Sequence, residues 1–207
     1  MRHVPVSDTL HTEVLSFEDA LIPTAGGYDR DRWIYIPDHY SDYRYVLGTR
    51  GAHPLVCIGI NPSTAAPDRL DNTLKSAQRI ALSNGYDSFI MFNVYAQRAT
   101  LPDDMDKTFN PVLHRENMKA FEWVLRQLAP PCSVWAAWGS IILRRSYLPA
   151  CVRDMVAVGR RYGARWFTAG PRSKAGHPHH PLYLRSDVPL DPFDDLVPYL
   201  ESLSGRT

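Results

Sequence analysis

The sequence predicts an α/β fold: a three-layer α/β/α sandwich around a central, mainly parallel four-stranded sheet, with additional N-terminal edge strands. Three observations carry this expectation. Four apolar runs have the length of buried strands, stretches of helical period lie between them, and turn formers mark each changeover. Strands that alternate with helices pair in parallel through right-handed crossovers, which puts helices on both faces. With 207 residues and an ordinary proportion of apolar and charged side chains, the chain suits one substantial core. The expected division is an irregular N-terminal arm over 1–30, with room for one short strand, and a single α/β domain over 31–207.

Arg32 to Ile36 and Tyr43 to Leu47 are aromatic and β-branched runs separated by Pro37 to Asp42, the pattern of edge strands or a hairpin. Pro54 to Ile60 is continuously apolar between turn formers and reads as the first core strand, buried on both faces. Leu74, Ala77, Ile80 and Ala81 recur at helical spacing, with Asp71 or Asn72 as N-cap and Gly85 as the stop. Ser88 to Val94 is the second core strand. A loop containing Pro102 and Pro111 leads to a helix from about Val112 to Leu128. Ser133 to Trp138 is the third strand, with Trp135 and Trp138 expected in packing. A helical stretch then spans Ile141 to Tyr162, with a break at Pro149. Arg165 to Ala169 forms a fourth, short strand, and after a loop rich in Pro and His, Pro192 to Leu203 forms an acidic helix.

Composition narrows the function classes. No run approaches the ~20 apolar residues that span a bilayer, and Met1 to Pro5 does not begin a signal-like stretch, so a soluble, cytoplasmic protein is expected. Cys57, Cys132 and Cys151 are widely spaced and odd in number, as reduced core residues are. The whole-chain charge is +1, yet Ile141 to Arg185 holds nine Arg or Lys and one acid, Asp154. That basic block is either a solvated helix face with its loop or a phosphate-facing surface, whose candidates are Arg160, Arg161, Arg172 and Lys174. His114, His177, His179 and His180 lack the spacing of a helical or paired Cys/His metal site. Gly48, Gly51 and Gly59 do not form a dinucleotide fingerprint, and no phosphate-binding loop ends in Lys-Ser/Thr. Neither a cofactor nor a metal is implied, and the oligomeric state is left open.

In a parallel sheet, ligands bind beyond the carboxyl ends of the strands, so the strand exits are the places to search. The first exit is Gly59-Ile60-Asn61-Pro62-Ser63-Thr64, and the second runs from Asn93 to Arg98. The fourth feeds Gly176-His177-Pro178-His179-His180-Pro181. Asn61, Asn93 and His180 could thereby converge, offering amides and an imidazole that can read a polar planar ring and position a water. Taken singly, each has a plainer use, in a turn, a buried amide or a loop. Ser63 lacks the glycine-flanked elbow of a serine hydrolase nucleophile.

These residues carry two resemblances. The nearer is to the family called domain of unknown function 1643, through Asn61 to Ala65, Asp71 with Thr73, Asn93 with Arg98, Thr100 and Pro102, Ala136 to Gly139, and His180 to Leu184. It spans about residues 43 to 185, with Asn72 where the pattern has Pro. The more distant one is to the uracil-DNA glycosylase superfamily, in particular its mismatch-specific branch. There Gly59 to Pro62, Asn93 and His180-Pro181 fall in the same order, with Ser63 where that branch has Gly. The iron-sulfur branches need four cysteines, and three without that spacing exclude a cluster.

The distant resemblance implies a glycosylase-like hydrolase acting on a nucleobase in DNA or in a nucleotide. It implies Asn61 and His180 as catalytic residues, the first positioning water at the sugar C1′ and the second stabilising the departing base. Asn93 would read the base, Gly59, Ile60, Pro62, Ser63 and Arg98 would complete the substrate site, and the basic block would lie against phosphates. A catalytically inert nucleobase or nucleic-acid binding module and a small-molecule enzyme are the alternatives.

Overall fold

The computed structural model describes residues 14–24 and 26–204, so residues 1–13 of the expected arm lie outside the described residues. The elements in chain order are α1 (Phe17–Ala20), β1 (Trp33–Ile36), β2 (Val46–Thr49), β3 (Pro54–Gly59), α2 (Asn72–Ser83), β4 (Ser88–Asn93), α3 (Pro111–Gln127), β5 (Ser133–Ala136), α4 (Leu148–Arg161), β6 (Arg165–Ala169), β7 (Leu190–Pro192) and α5 (Leu196–Ser204). They form a mixed α/β fold around one seven-stranded sheet of order β1-β2-β4-β3-β5-β6-β7. The four strands expected from the sequence are the parallel centre, β4-β3-β5-β6.

The sheet is therefore larger than the four strands expected. β1 and β2 pair antiparallel and join it through an antiparallel β2–β4 ladder, while β7 closes the other edge antiparallel to β6. Leu190-Asp191-Pro192 is too short and polar to announce a strand, and Pro192 is tolerated because an edge strand can forgo one ladder N–H. Between residues 14 and 30 the ordered element is one helical turn rather than a strand. It is capped by Ser16 and docked where the Phe17 N–H donates to the buried Glu116 carboxylate at 2.9 Å.

Alternate residues of the central strands face opposite sides, as the period of two demands. Val56, Ile58, Ile90, Phe92, Val134 and Ala136 pack with residues of α3, α4 and α5. Leu55, Cys57, Phe89, Met91 and Trp135 pack with Leu74, Ala77, Ile80 and Ala81 of α2. Each large aliphatic side chain so buried contributes roughly 1.5–3 kcal/mol. The chain thus leaves β3 over one face and reaches β5 over the other. This reversal opens a crevice beyond the ends of β3 and β5.

Two helix boundaries differ from expectation. The stretch from Ile141 is a separate 3₁₀ turn over Gly139–Leu143, and α4 starts at Leu148 with Pro149 in its first turn, where the missing N–H costs nothing. α5 begins at Leu196, beyond β7. All three cysteines are free and buried. Burial raises their thiols, Cys151 to about 12, above the range of reactive thiolates. Among the described residues, no helix is long and apolar enough to cross a membrane.

Candidate functional site

The exits of β3 and β4 run side by side. The Val94 N–H donates to Gly59 O and the Tyr95 N–H to Ile60 O, both at 2.9 Å, and farther on the Ala99 N–H donates to Pro62 O at 2.9 Å. From the far face, buried Asn117 of α3 donates Nδ2 to Asn93 O at 3.0 Å and to Val94 O at 3.3 Å. The two exits are thus held by backbone and amide bonds. Where they meet the N-terminus of α2 and the His-Pro loop, a cavity of about 410 Å³ opens. That volume lies in the range of small-molecule sites.

Asn61, Asn93 and His180, far apart in sequence, all line this cavity, as do Gly59, Ile60, Pro62 and Ser63. Asn61 Nδ2 donates to Ala99 O at 2.7 Å and Pro62 O at 3.0 Å. Carbonyls only accept, so those contacts fix the amide's orientation, and Oδ1 has no partner among the described residues. Asn93 is oriented the opposite way: Arg44 Nη2 donates to its Oδ1 at 3.3 Å, and Nδ2 has no partner among the described residues. Gly59 makes room here, since a Cβ on it would come 2.6 Å from Met91 Cε and 3.1 Å from Asn93 Nδ2.

His180 caps a short 3₁₀ turn, Pro181–Tyr183, with Nδ1 accepting from the Leu182 N–H at 3.4 Å. Burial lowers its pKa, with Asp71 opposing. The imidazole is therefore neutral at pH 7, and an accepting Nδ1 puts the proton on Nε2. The loop is seated against Gly139, whose φ of +64° makes the sharp turn after β5 and on which a Cβ would come 3.7 Å from His180 Cβ. Ser63 donates to the Thr100 hydroxyl at 3.3 Å, and among the described residues no histidine or carboxylate is its partner.

Arg98, expected to bind substrate, does not line the cavity. It is fully buried beneath the β3 exit, where it clamps Ser63 O, Ala65 O at 3.1 Å and the Tyr35 hydroxyl at 2.9 Å, with Tyr40 over its guanidinium at 4.2 Å. It shapes the loop from below. The basic block does not form one surface either. α4, about 21 Å long at 1.5 Å per residue, runs antiparallel to the strands, so Arg160 and Arg161 emerge beside the start of β6, at the opposite end of the sheet from the cavity. Arg172 pairs with Asp195 at 2.8 Å, Arg185 with Asp187 at 3.0 Å, and Arg144 with Asp103, while Lys174 is exposed in the loop before His177. The other histidines are dispersed: His177 Nδ1 meets Tyr199 Oη at 3.1 Å, and His114 Nε2 meets Asp154 at 2.8 Å. Among the described residues, no three His, Cys, Asp or Glu come together as a metal site would require. Trp135 and Trp138 are fully buried, in packing as expected.

Two charged residues of the cavity were not expected there. Asp71, an expected N-cap and part of the family pattern with Thr73, does accept the Leu74 N–H at 2.9 Å, and it is also the one carboxylate among the described residues lining the cavity. Arg44 is 1 % exposed and reaches the cavity floor. Its Nη1 donates to Ala65 O at 3.2 Å, its Nε has no partner, and it makes no ion pair among the described residues. Burial and the neighbouring Arg98 pull its pKa down to about 9, which leaves it charged at neutral pH. A charge inside the run Tyr43-Arg44-Tyr45-Val46-Leu47 was the available signal, because a cation amid core residues calls for a reason.

Comparison with known proteins places these exits within one family. The family model described as protein of unknown function (DUF1643) matches residues 44–182, about two thirds of the chain, and the chain belongs to that family. No curated protein and no solved structure matches it.

Proposed function

We propose that this DUF1643 chain is a uracil-DNA-glycosylase-like hydrolase that cleaves the N-glycosidic bond of a nucleobase in a nucleotide or in DNA. The observation that carries the reading is the shared cavity. Asn61, Asn93 and His180 line it together, with Asn61 Oδ1, Asn93 Nδ2 and His180 Nε2 each lacking a partner among the described residues. An acceptor beside a donor pair suits a water and a polar ring held face to face.

In this reading Asn61 Oδ1 and the Asp71 carboxylate hold the attacking water. The water oxygen bonds to C1′ as the bond from C1′ to the base nitrogen breaks, its electron pair leaves with the base, and a water proton passes to Asp71. His180, neutral, donates Nε2–H to the departing base, as a neutral imidazole can where burial disfavours its charged form. A dissociative glycosidic cleavage needs such alignment and charge stabilisation more than it needs a nucleophile.

The dispersal of the basic block favours a free nucleotide over a long polymer, since Arg160 and Arg161 emerge at the far end of the sheet. Base release, followed by chromatography and mass spectrometry, tests the function on nucleoside monophosphates and on modified single- and double-stranded oligonucleotides. Release is expected from at least one substrate, with Asn61→Ala slowing it about 100-fold. No release from any of them, or an unchanged rate in the variant, overturns the proposal. Binding of bases without release supports the inert nucleobase-binding module instead.

A further inference from the structure

The cavity does not end at its mouth. Its deep part is lined by buried residues, Arg44, Met91 and Asn93 among them, and its outer part by the half-exposed Thr100, Pro102 and Ile141. Pro102 and Ile141 also line a second hollow of about 340 Å³, together with Asp103, Ser140, Leu143 and Arg144. The two hollows share a wall, so a ligand too long for the first emerges beside Asp103.

Asp103 is exposed, yet it is held from several sides. Arg144 grips both carboxylate oxygens with Nε and Nη2. Arg145 donates Nη2 to Asp103 O at 2.7 Å and to Met105 O at 2.8 Å, and Nε to Asp106 O at 3.1 Å. Farther along the same loop the Tyr147 hydroxyl donates to Asp106 O at 2.8 Å, and buried Gln97 exchanges hydrogen bonds with Asp106. An exposed ion pair alone adds little stability, and support of this extent fixes where a carboxylate stands.

The chemistry of that position is narrow. Arg144 holds the Asp103 carboxyl below the usual carboxylate range, so the group is ionised at neutral pH and only accepts. Each oxygen has about two acceptor directions, and the guanidinium fork takes one of them on each. Two adjacent acceptors are left facing outward, and their match is a pair of neighbouring hydroxyls.

We propose that Asp103, oriented by Arg144, forms a diol subsite at the cavity mouth that takes the 2′- and 3′-hydroxyls of a ribose. The inference deepens the glycosidic reading and rests on it for the base in the deep cavity. With C1′ beside Asn61 and Asp71, the sugar fills the outer part and its hydroxyls emerge over Pro102. The substrate class narrows accordingly. Both hydroxyls are free in a ribonucleoside, in its 5′-phosphate or at the 3′ end of an RNA. DNA lacks the first, and inside an RNA chain the second is esterified. Asp103 sets specificity, and Arg144 is a positioning residue.

The test uses the full chain, the common ribonucleoside 5′-monophosphates, their 2′-deoxy counterparts and ribose 5-phosphate, with affinity read by calorimetric titration. At least one ribonucleotide is expected to bind about tenfold tighter than its deoxy counterpart, the worth of one hydrogen bond to a charged acceptor. In Asp103→Asn an acceptor becomes a donor, and in Arg144→Gln the carboxylate loses its orientation, so the ratio falls to within about threefold in each. A residue that merely braced the loop would weaken both sugars alike and leave the ratio where it was. Equal or tighter binding of the deoxy forms, or a ratio unchanged in either variant, overturns the subsite and leaves the nucleobase reading standing. If ribose 5-phosphate binds as tightly as any nucleotide, and Asp103→Asn weakens it about tenfold, the subsite stands and the nucleobase reading falls. If no probe binds, both fall.

Discussion

The segment from Ile141 to Arg185 and the paired exits of β3 and β4 are opposites in their use of charge. The first carries nine cations in sequence, but folding sends Arg160 and Arg161 to one end of the sheet, and sets Arg144, Arg172 and Arg185 against Asp103, Asp195 and Asp187. Exposed ion pairs of this kind contribute little, typically under about 1 kcal/mol. The second region has two cations, Arg44 and Arg98, both fully buried and neither in an ion pair among the described residues. Charge counted along a chain locates neither field nor site, because a field depends on what surrounds each charge. Two guanidiniums held out of water, on both of which the charge of Asp71 acts, are screened far less than exposed cations are.

The comparison breaks most visibly at Arg98. Its guanidinium holds the carbonyls of Ser63 and Ala65 and the Tyr35 hydroxyl, so Arg98→Ala removes three charged hydrogen bonds at once and leaves Ala65 O to Arg44 alone. A loss of about 3 kcal/mol in urea unfolding is expected, at ~1.5 kcal/mol or more per such bond less the relief of a buried charge. A change below about 0.5 kcal/mol would place Arg98 with the surface arginines and remove the contrast.

His180 supplies the next test. Burial holds its pKa below the ordinary histidine value, with Asp71 opposing, so the unfolded chain takes up the proton more readily than the native one. The sign follows from linkage: its stabilising contribution is fully present above the unfolded pKa of about 6.5 and is lost as pH falls through the lowered native pKa. Stability measured from pH 8 to pH 5 should decline on the acid side, and His180→Gln should flatten that part of the profile. An identical profile in the variant would mean that the His180 ring gains no protection from the cavity wall.

Much of this was legible before any coordinates. The four central strands and the helix over Asn72–Ser83 follow from apolar runs and caps, which act locally. Asn61, Asn93 and His180 could be placed together because a parallel sheet brings its strand exits to one edge. What escaped depends on pairing between distant segments. β7 is three residues long and exists only because β6 offers an edge, and the N-terminal strands join the sheet through β4, a partner no periodicity reveals. Asp71 was hidden behind its own capping role, and Arg44 behind the aromatic run that buries it. Arg98 was placed in the site by its neighbours in sequence, whereas its length carries the guanidinium beneath the loop rather than into the cavity.

The smallest expected effect sharpens the contrast from the other side. Arg160 and Arg161 lie in the last turn of α4, where a cation meets the negative end of the helix dipole, and both are exposed. Replacing both by Gln should cost about 0.5 kcal/mol, the dipole contribution after solvent screening. Affinity for a ligand in the cavity should not change, since these charges stand at the opposite end of the sheet from it. Oligonucleotide binding measured against salt separates the remaining possibilities. An unchanged slope of log K on log salt leaves the pocket and its two buried arginines as the charged feature that matters. A slope shallower by about two would mean that phosphates cross the far end of the sheet, and that the nine cations had been discounted too soon.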